Sequence, residues 1–182
     1  MAEATAISVL EEARAIAARC YGCKKCSAGC PVAPWADLAP HVFVRLAQES
    51  DEEQLGRLLA SETLWFCASC QTCQARCPHG VDLPHLADLL RREALARGVA
   101  PALPKVAAFH RTFLERIRAK GRIHELDLVG RYRLAAGGLF EDLGLGWMMF
   151  RKGKLRLLPP ASPGREARRE VRDIFRRRER SS

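Results

Sequence analysis

Two copies of one cysteine pattern constrain this chain more than any other feature of its sequence. The segments CYGCKKCSAGCP, from Cys20, and CASCQTCQARCP, from Cys67, each place cysteines at positions i, i+3, i+6 and i+10. A proline follows the fourth cysteine in both segments, called here the first run (20–31) and the second run (67–78). Together they contain all 8 cysteines of the 182 residues. A fold for this chain must therefore build two similar pockets from segments that are far apart in sequence.

The spacing of these cysteines is typical of segments that bind iron–sulfur clusters. Three cysteines on a tightly wound loop can direct their sulfurs into one pocket, and N–H groups of the same loop can donate to a cluster. The fourth cysteine lies beyond the loop, because the proline after it stops the winding. The pattern predicts two [4Fe–4S] clusters with crossed ligands, which would make the two runs mutually dependent. The predicted ligands are Cys20, Cys23, Cys26 and Cys77 for one cluster, and Cys67, Cys70, Cys73 and Cys30 for the other.

Three other uses of the cysteines are less favoured. Zinc prefers four-cysteine sites made of two CxxC pairs, and two such sites need neither a third nearby cysteine nor a repeated Cys-Pro ending. A disulfide framework requires an oxidising compartment, and the opening residues do not have the pattern of a secretory signal peptide. Free structural cysteines would not be spaced so regularly. Two cubane clusters therefore remain the best interpretation.

Composition and charge favour a cytoplasmic protein whose two halves differ. The chain carries a net charge of +9. Residues 1–100 contain 10 Lys and Arg against 12 Asp and Glu, whereas residues 101–182 contain 20 against 9. No apolar stretch approaches the roughly 20 residues that cross a bilayer. The basic half could dock on an acidic partner or attract nucleic acid.

The distribution of helix signals predicts an all-α fold. A capping-box spacing at Ser8 opens a first helix, a second one at Ser50 opens another, and Asp82 with Pro84 starts a helix that Gly98 ends. The segment between the runs contains two predicted helices, which favours an α-helical ferredoxin over the β type. A helix is predicted from Pro104 to Gly121, then a loop or broken helix at 130–138, short helices at 139–150, an extended segment at 151–164 and a helical tail. We predict a ferredoxin domain at 1–100, a helical extension for partner docking at 101–160 and a basic tail at 161–182.

These residues resemble the HdrC family of heterodisulfide reductase components. The resemblance rests on the two runs with their flanks, CYGCKKCSAGCPV and LWFCASCQTCQARCPHGVDL, and on PHVFVRL between them. It continues in FHRTFLERIRAKGRIHEL and GLGWMMFRKGKLRLLP, so that it covers roughly residues 10–158. The arginine-rich tail lies outside it.

The resemblance implies an electron-transfer subunit with two [4Fe–4S] clusters and no active site of its own. Such a subunit relays single electrons between a flavin-containing iron–sulfur subunit resembling HdrA and a disulfide-reducing subunit resembling HdrB. No nucleic acid and no membrane span are expected. An equivalent relay in a quinone-linked or acyl-CoA-reducing complex is the alternative, and a non-redox metal or nucleic-acid module is less favoured.

For several residues other than the cysteines, a role at the clusters can be set against an ordinary structural role. Trp35, Trp65 and Phe66 could shield a cluster from water, although they could equally be core residues. Lys24 and Lys25 could raise the potential of a cluster, although solvated lysines are commoner. His79 is expected in a loop, because the cysteines already supply all ligands. The tail is expected to be a solvated helix or a docking element, and its arginines are Arg165, Arg168, Arg169, Arg172, Arg176, Arg177, Arg178 and Arg180.

Overall fold

A computed structural model of the chain describes residues 2–49, 51–137, 143–154 and 163–180. Throughout these residues the regular elements are helices, and none of them is a β-strand. This confirms the predicted all-α class. The chain divides into two compact units, Met1–Pro104 and Lys105–Ser182, and the first unit contains both cysteine runs. The separate roles expected for residues 101–160 and 161–182 stay predictions.

The first unit is built from short helices that follow one another closely. Each cysteine run contains one of the two shortest, α2 or α6, with four residues each. A 3₁₀ turn at Ala33–Trp35 follows the first run. The α-helices of this unit are α1 (Ala2–Ala17), α2 (Lys25–Ala28), α3 (Pro40–Gln48), α4 (Glu52–Ala60), α5 (Glu62–Phe66), α6 (Thr72–Ala75) and α7 (Leu83–Ala96).

The core of this unit lies between α1, α3, α4 and α7. Both α1 and α4 contact α3 and α7. Ala13 and Ala17 of α1 are fully buried, and such small side chains allow close approach of neighbouring helices. No residue of α2 or α6 is buried, so the two runs border the core rather than belong to it. The largest fully buried side chains are Phe43, Val44, Leu55, Leu58, Leu59, Leu64, Leu86 and Leu90.

The ends of α7 follow the sequence signals. The carboxylate of Asp82 accepts a hydrogen bond from the backbone N–H of His85 at 3.0 Å, and Pro84 occupies an early helical position. Gly98 lies just after the helix with a φ of +69°, a left-handed conformation that glycine adopts without steric cost. The predicted start and end of this helix are confirmed.

Two other helix starts differ from the predicted ones. The cap of α4 is Asp51, whose carboxylate accepts from the N–H of Gln54 at 2.8 Å, because Asp51 directly precedes the first helical residue. The predicted cap, Ser50, lies outside the described residues. The helix α1 begins at Ala2 and ends at Ala17, so Ser8 lies within it rather than at its start, and the helix stops before Cys20. Both differences arise because a capping-box spacing carries no information on tertiary context.

An ion pair joins the end of α7 to α4. Arg97 Nε lies 2.5 Å from a carboxylate oxygen of Glu93, and its Nη1 lies 2.9 Å from Glu52. The side chain of Glu93 is only 7% exposed, so its carboxylate lies largely out of water beside this partner. Hydrogen bonds from Arg97 to Glu52 and Glu93 raise the pKa of the guanidinium. The pairing orients α7, which carries further contacts to the second cysteine run.

The second unit consists, where the structure describes it, of α8 (Pro104–Lys120), α9 (Glu125–Ala136), α10 (Leu143–Arg151) and α11 (Arg165–Arg180). The helix α9 is continuous, so the prediction of a loop or broken helix was wrong over residues 130–136. A glycine inside a helix costs only about 1 kcal/mol, so Gly130 does not by itself break α9. Arg151, the first residue of the segment predicted to be extended, is instead the last residue of α10. Residues 138–142 and 155–162 of the predicted segments lie outside the described residues.

Charged and aromatic contacts hold α8 against α9. The rings of Phe109 and Tyr132 meet edge to face, with centroids 5.6 Å apart. Asp127 lies 3.0 Å from Lys120 Nζ and 3.1 Å from Arg131 Nε. Partial burial alone would raise the pKa of Asp127, but hydrogen bonds from Lys120 and Arg131 lower it to about 2. Asp127 is therefore ionised at neutral pH.

Apolar and basic side chains lie side by side at α10 and just after it. Trp147 is 63% exposed, and Met148, Met149 and Phe150 are exposed as well. Arg151, Lys152 and Lys154 follow and are also exposed. Over the described ranges, no helix combines the length and apolar character needed to cross a bilayer.

Candidate metal centres

The two cysteine runs adopt the same backbone conformation. Lys24 and Gln71 occupy equivalent positions, and each has a φ of +61°, directly before α2 and α6. Two residues earlier, Gly22 and Ser69 are also equivalent, with φ of +81° and +50°. A left-handed conformation is unfavourable for residues other than glycine. Its occurrence at matching positions of both runs shows that each forms the same tightly wound loop.

The structure gathers the cysteines into two pockets. The first pocket contains the three nearby cysteines of the second run, Cys67, Cys70 and Cys73, together with Cys30. The second pocket contains Cys20, Cys23, Cys26 and Cys77, and Cys73 reaches its wall. In both pockets the fourth cysteine of one run thus lies beside the first three of the other. We call them the Cys67 pocket and the Cys20 pocket.

The walls of these pockets are mostly apolar, and the pockets adjoin. Leu83 lines both of them, as Cys73 does. The Cys67 pocket is further lined by Pro31, Val32, Ala36, Pro40, Ala68 and Pro84, and the Cys20 pocket by Val44 and Val81. Such walls limit the access of water to a bound cofactor, which is one way in which proteins tune its potential.

The cysteine side chains and the pockets fit a cofactor larger than one ion. The empty volumes, including the part open to solvent, are about 520 Å³ for the Cys67 pocket and about 370 Å³ for the Cys20 pocket. In the part of the chain that the structure describes, no three Cys, His, Asp or Glu side chains converge closely enough to hold a single metal ion. Zinc needs four ligand atoms within about 2.3 Å of one point. All 8 cysteines are free thiols, so four thiolates are available for each of two [4Fe–4S] clusters.

Equivalent cysteines of the two runs have similar acid–base properties. The N–H of Lys25 stabilises the thiolate of Cys23 and lowers its pKa, and the hydroxyl of Thr72 lowers the pKa of Cys70. Burial instead raises the pKa of Cys26, and it raises the pKa of Cys73 to about 11. The half-buried thiols of Cys26 and Cys73 need a bound cation to become thiolates at neutral pH, so metal binding releases their protons.

Asp37 fastens the loop after the first run to the helix before the second. Its carboxylate accepts hydrogen bonds from Thr63 Oγ1 at 2.6 Å and from the N–H groups of Leu38, Glu62 and Thr63 at 2.8 to 3.0 Å. Thr63 itself lines the Cys67 pocket. Partial burial raises the pKa of Asp37, but the hydrogen bonds from Thr63, Glu62 and Leu38 outweigh it and lower the pKa. No signal in the sequence identified this residue.

We expect Asp37→Asn to reduce the free energy of unfolding at pH 7 by about 1 kcal/mol, because a partly exposed carboxylate loses charge-assisted hydrogen bonds. The lowered pKa stabilises the fold above the ordinary aspartate value of about 3.9, and this contribution is lost as the pH falls through the lowered pKa. The difference between variant and wild type should therefore shrink below about pH 4. Anaerobic urea unfolding measures it. Asp51→Asn, which changes a cap with one backbone hydrogen bond, is the control and should have a smaller effect.

Side chains from outside the runs hold the backbone of both loops. Nε2 of Gln48, at the end of α3, donates to the carbonyl oxygen of Cys20 at 2.8 Å. Nη2 of Arg91, on α7, donates to the carbonyl oxygen of Cys67. Cys20 and Cys67 are the first cysteines of their runs, so these contacts are equivalent. Neither residue was identified from the sequence, because no spacing rule links residues 24 or 28 positions apart.

The other residues considered from the sequence lie in different places. Trp35 is exposed and Trp65 is buried, and neither they nor Phe66 line the two described pockets. Lys24 and Lys25 are exposed and line the Cys20 pocket. Shielding by these aromatic residues and tuning by these lysines stay predictions.

Two histidines lie near the Cys20 pocket. The exposed His79 packs against Tyr21 of the other run, with ring centroids 4.5 Å apart. His41 lines the pocket, and its Nδ1 lies 2.8 Å from Oγ of Ser27. No motif pointed to His41, whose partner is 14 residues away. Both histidines thus connect parts of the structure that frame this pocket.

Comparison with known proteins agrees with the geometry of the pockets. Residues 16–81 match the family model described as a 4Fe-4S dicluster domain. This segment includes all the cysteines, so the cofactors of the chain are two [4Fe–4S] clusters. The match leaves the individual assignment of cysteines to clusters as a prediction.

Curated relatives are similar to about half of the chain. The C subunit of the ferredoxin:CoB-CoM heterodisulfide reductase of Methanosarcina acetivorans is 33% identical over 81 residues, which are 44% of this chain and 31% of the relative. The C subunit of the H(2):CoB-CoM heterodisulfide,ferredoxin reductase of Methanothermobacter marburgensis is 31% identical over 91 residues, 50% of this chain and 48% of the relative.

A third relative extends the similarity somewhat further. The C 2 iron-sulfur subunit of the CoB--CoM heterodisulfide reductase of Methanocaldococcus jannaschii is 30% identical over 108 residues, 59% of this chain and 56% of the relative. The chain thus spans from about a third to about half of the length of these relatives.

Proposed function

We propose that the chain, which is similar to C subunits of heterodisulfide reductases, belongs to the HdrC family and is the electron-transfer subunit of a heterodisulfide-reductase-type complex. The observation that carries the proposal is the pair of adjoining apolar pockets, each lined by the first three cysteines of one run and the fourth cysteine of the other. Two one-electron carriers held next to each other suit a relay better than a substrate site. An iron–sulfur electron-transfer role follows from the family, and the complex and its reaction are the proposed part.

The proposed ligands are crossed between the runs. Cys20, Cys23, Cys26 and Cys77 hold one cluster, and Cys67, Cys70, Cys73 and Cys30 hold the other. When bound, each cluster supplies reversible one-electron chemistry. The apolar side chains of both pockets limit the access of water to these centres. Leu83, which lines both pockets, keeps water away from the wall that they share.

The proposed partners are an HdrA-like subunit, which contains flavin and iron–sulfur centres, and an HdrB-like subunit, which reduces a disulfide. Each disulfide needs two electrons and two protons to become two thiols, so two single-electron transfers pass through this chain per turnover. The chain contributes ligands and no acid, base or nucleophile. The complex is proposed to be cytoplasmic, without nucleic acid.

Docking is proposed for the second unit. The exposed apolar residues Trp147 and Phe150 of α10 provide surface for protein contact. In α11, the arginines give the tail a positive charge that suits an acidic partner surface. Arg118 lies 2.5 Å from Glu179 and over the ring of Phe175, so α11 is held by α8 within this unit.

We expect anaerobically purified protein to contain about eight irons and about eight acid-labile sulfides per chain. Reduction should produce the EPR signals of two interacting [4Fe–4S] clusters, since the pockets adjoin. An anaerobic native pull-down should then recover a flavoprotein and a disulfide-reducing iron–sulfur subunit. A protein filled with zinc would contradict the relay, and a membrane cytochrome as the main partner would favour the quinone-linked alternative.

A further inference from the structure

The two equivalent carbonyl groups at the start of the runs are held by side chains of different charge. Gln48 donates to the Cys20 carbonyl through a neutral amide, and it also lies 3.5 Å from the carbonyl of Ala18. Arg91 donates to the Cys67 carbonyl through a guanidinium that is always charged. The two loops have the same conformation. The neutral Gln48 and the charged Arg91 therefore contact equivalent carbonyl groups, and the loops differ in the charge beside them.

Arg91 is fixed in position by several further contacts. Its Nε donates to the carbonyl of Leu64 at 2.7 Å, and its Nη1 lies 3.5 Å from Ser69 Oγ and 2.8 Å from a carboxylate oxygen of Asp88. The side chain of Arg91 is only 12% exposed. The guanidinium therefore spans both ends of the segment that leads into the Cys67 loop.

The nearby charges differ in how strongly water screens them, because their side chains differ in exposure. Asp88 partly offsets Arg91, but the carboxylate side chain is 59% exposed and water screens its charge. Lys24 and Lys25 at the Cys20 pocket are also exposed and screened in the same way. The least screened charge among these is that of Arg91, which lies against the Cys67 loop.

We propose that Arg91 gives the cluster held by Cys67, Cys70 and Cys73 a higher reduction potential than the cluster held by Cys20, Cys23 and Cys26. The reduced form of a cluster carries one more negative charge, so a fixed positive charge stabilises it. Arg91 and Gln48 are then positioning residues, and the difference in their charge also sets the direction of electron flow. With both clusters bound, this difference in potential would favour electron flow from the Cys20 pocket to the Cys67 pocket.

This inference rests on the proposed function, but it does not depend on crossed ligation. Cys67, Cys70 and Cys73 share one pocket, whichever run supplies the fourth ligand. It requires only that both clusters are bound and that their midpoint potentials can be resolved. Its failure can therefore be distinguished from a failure of the proposed function.

The test is an anaerobic redox titration followed by EPR on the iron-loaded full chain. Arg91→Gln should shift the more positive midpoint to lower potential and leave the other nearly unchanged. Arg91→Lys, which keeps the charge, should retain most of the wild-type value. The exposed Arg92, its neighbour on α7, supplies the matched control, and Arg92→Gln should move neither midpoint.

A second set of variants keeps the test decisive if Arg91→Gln fails to load iron. Gln48→Arg adds a charge at the other loop and should raise the more negative midpoint. The exchange variant Gln48→Arg with Arg91→Gln should narrow or reverse the separation between the two. Unchanged midpoints in iron-replete Arg91→Gln overturn the inference, as does an unchanged lower midpoint in Gln48→Arg. Absence of both clusters from the wild-type chain would instead overturn the proposed function.

Discussion

The double variant Cys23→Ala with Cys77→Ala is expected to retain about four irons per chain, whereas Cys23→Ala with Cys30→Ala retains almost none. With crossed ligation, Cys23 and Cys77 serve the same cluster, so their joint loss leaves the other cluster complete. Cys23 and Cys30 serve different clusters, so their joint loss damages both. The two variants differ only in which fourth cysteine is changed, which makes them a matched pair.

The geometry that motivates this prediction is the close approach of the two runs. A Cβ added to Gly29 would lie 2.7 to 2.9 Å from three atoms of Arg76, and these residues directly precede Cys30 and Cys77. The helices α2 and α6 are also in contact. The sulfur of Cys77 lies 3.4 Å from the N–H of Val81, which donates to it and orients it. Each fourth cysteine is therefore carried across to the other run.

Iron and sulfide analysis of the purified variants measures the outcome, and EPR identifies the surviving cluster. The single variants Cys30→Ala and Cys77→Ala are the controls, and each should keep about four irons. The reverse pattern, with four irons in Cys23→Ala with Cys30→Ala, would show that each run keeps all four of its own cysteines. Equal iron in both double variants would show that the fourth ligand is not specific.

The parts of the fold that could be predicted from the sequence are those that depend on local spacing. The helix from Asp82 to Gly98 follows from a cap, a proline and a glycine at fixed offsets. The cofactor follows from the cysteine spacing in the same way. In contrast, residues 130–138 were predicted to be a loop or a broken helix, whereas α9 continues to Ala136. The ring contact of Tyr132 with Phe109 has no local signal in the sequence.

Within the candidate site, the residues that sequence motifs missed act over long separations. Asp37 binds Thr63 26 residues later, and Gln48 and Arg91 bind carbonyl groups 28 and 24 residues earlier. A backbone carbonyl carries no sequence identity, so its side-chain partner cannot be inferred from a motif. The charge difference between the loops becomes apparent only from the structure, which shows Gln48 bonded to the carbonyl of Cys20 and Arg91 to that of Cys67.

Removal of both clusters is expected to release the two runs while the helical core stays folded. Hydrogen exchange of the N–H groups of Ala28, Gly29, Ala75 and Arg76 should become about a hundredfold faster or more. These groups bond within the short helices, whose residues contribute nothing to the buried core. Two non-glycine residues in left-handed conformations, Lys24 and Gln71, further disfavour the loops without metal.

The core should respond differently because its stability comes from apolar packing. Phe43 and Leu55 are buried, and their N–H groups bond to the carbonyls of Ala39 and Asp51 at the starts of α3 and α4. Burial of a side chain of this size contributes about 1.5 to 3 kcal/mol, and several such residues pack together here. Exchange at these two amides should change by less than about tenfold after chelation.

Anaerobic chelation followed by hydrogen exchange and mass spectrometry measures both sets of amides in one experiment. The variant Cys23→Ala with Cys77→Ala is the control, since it should already exchange rapidly in the first run and lose protection only in the second. Equal loss of protection at Phe43 and Ala28 would mean that the clusters hold the whole unit together. Full retention at Ala28 and Ala75 would mean that the loops fold without metal. We expect loss of protection at Ala28 and Ala75 but not at Phe43, because the runs border the core and their helices α2 and α6 contribute no buried side chain to it.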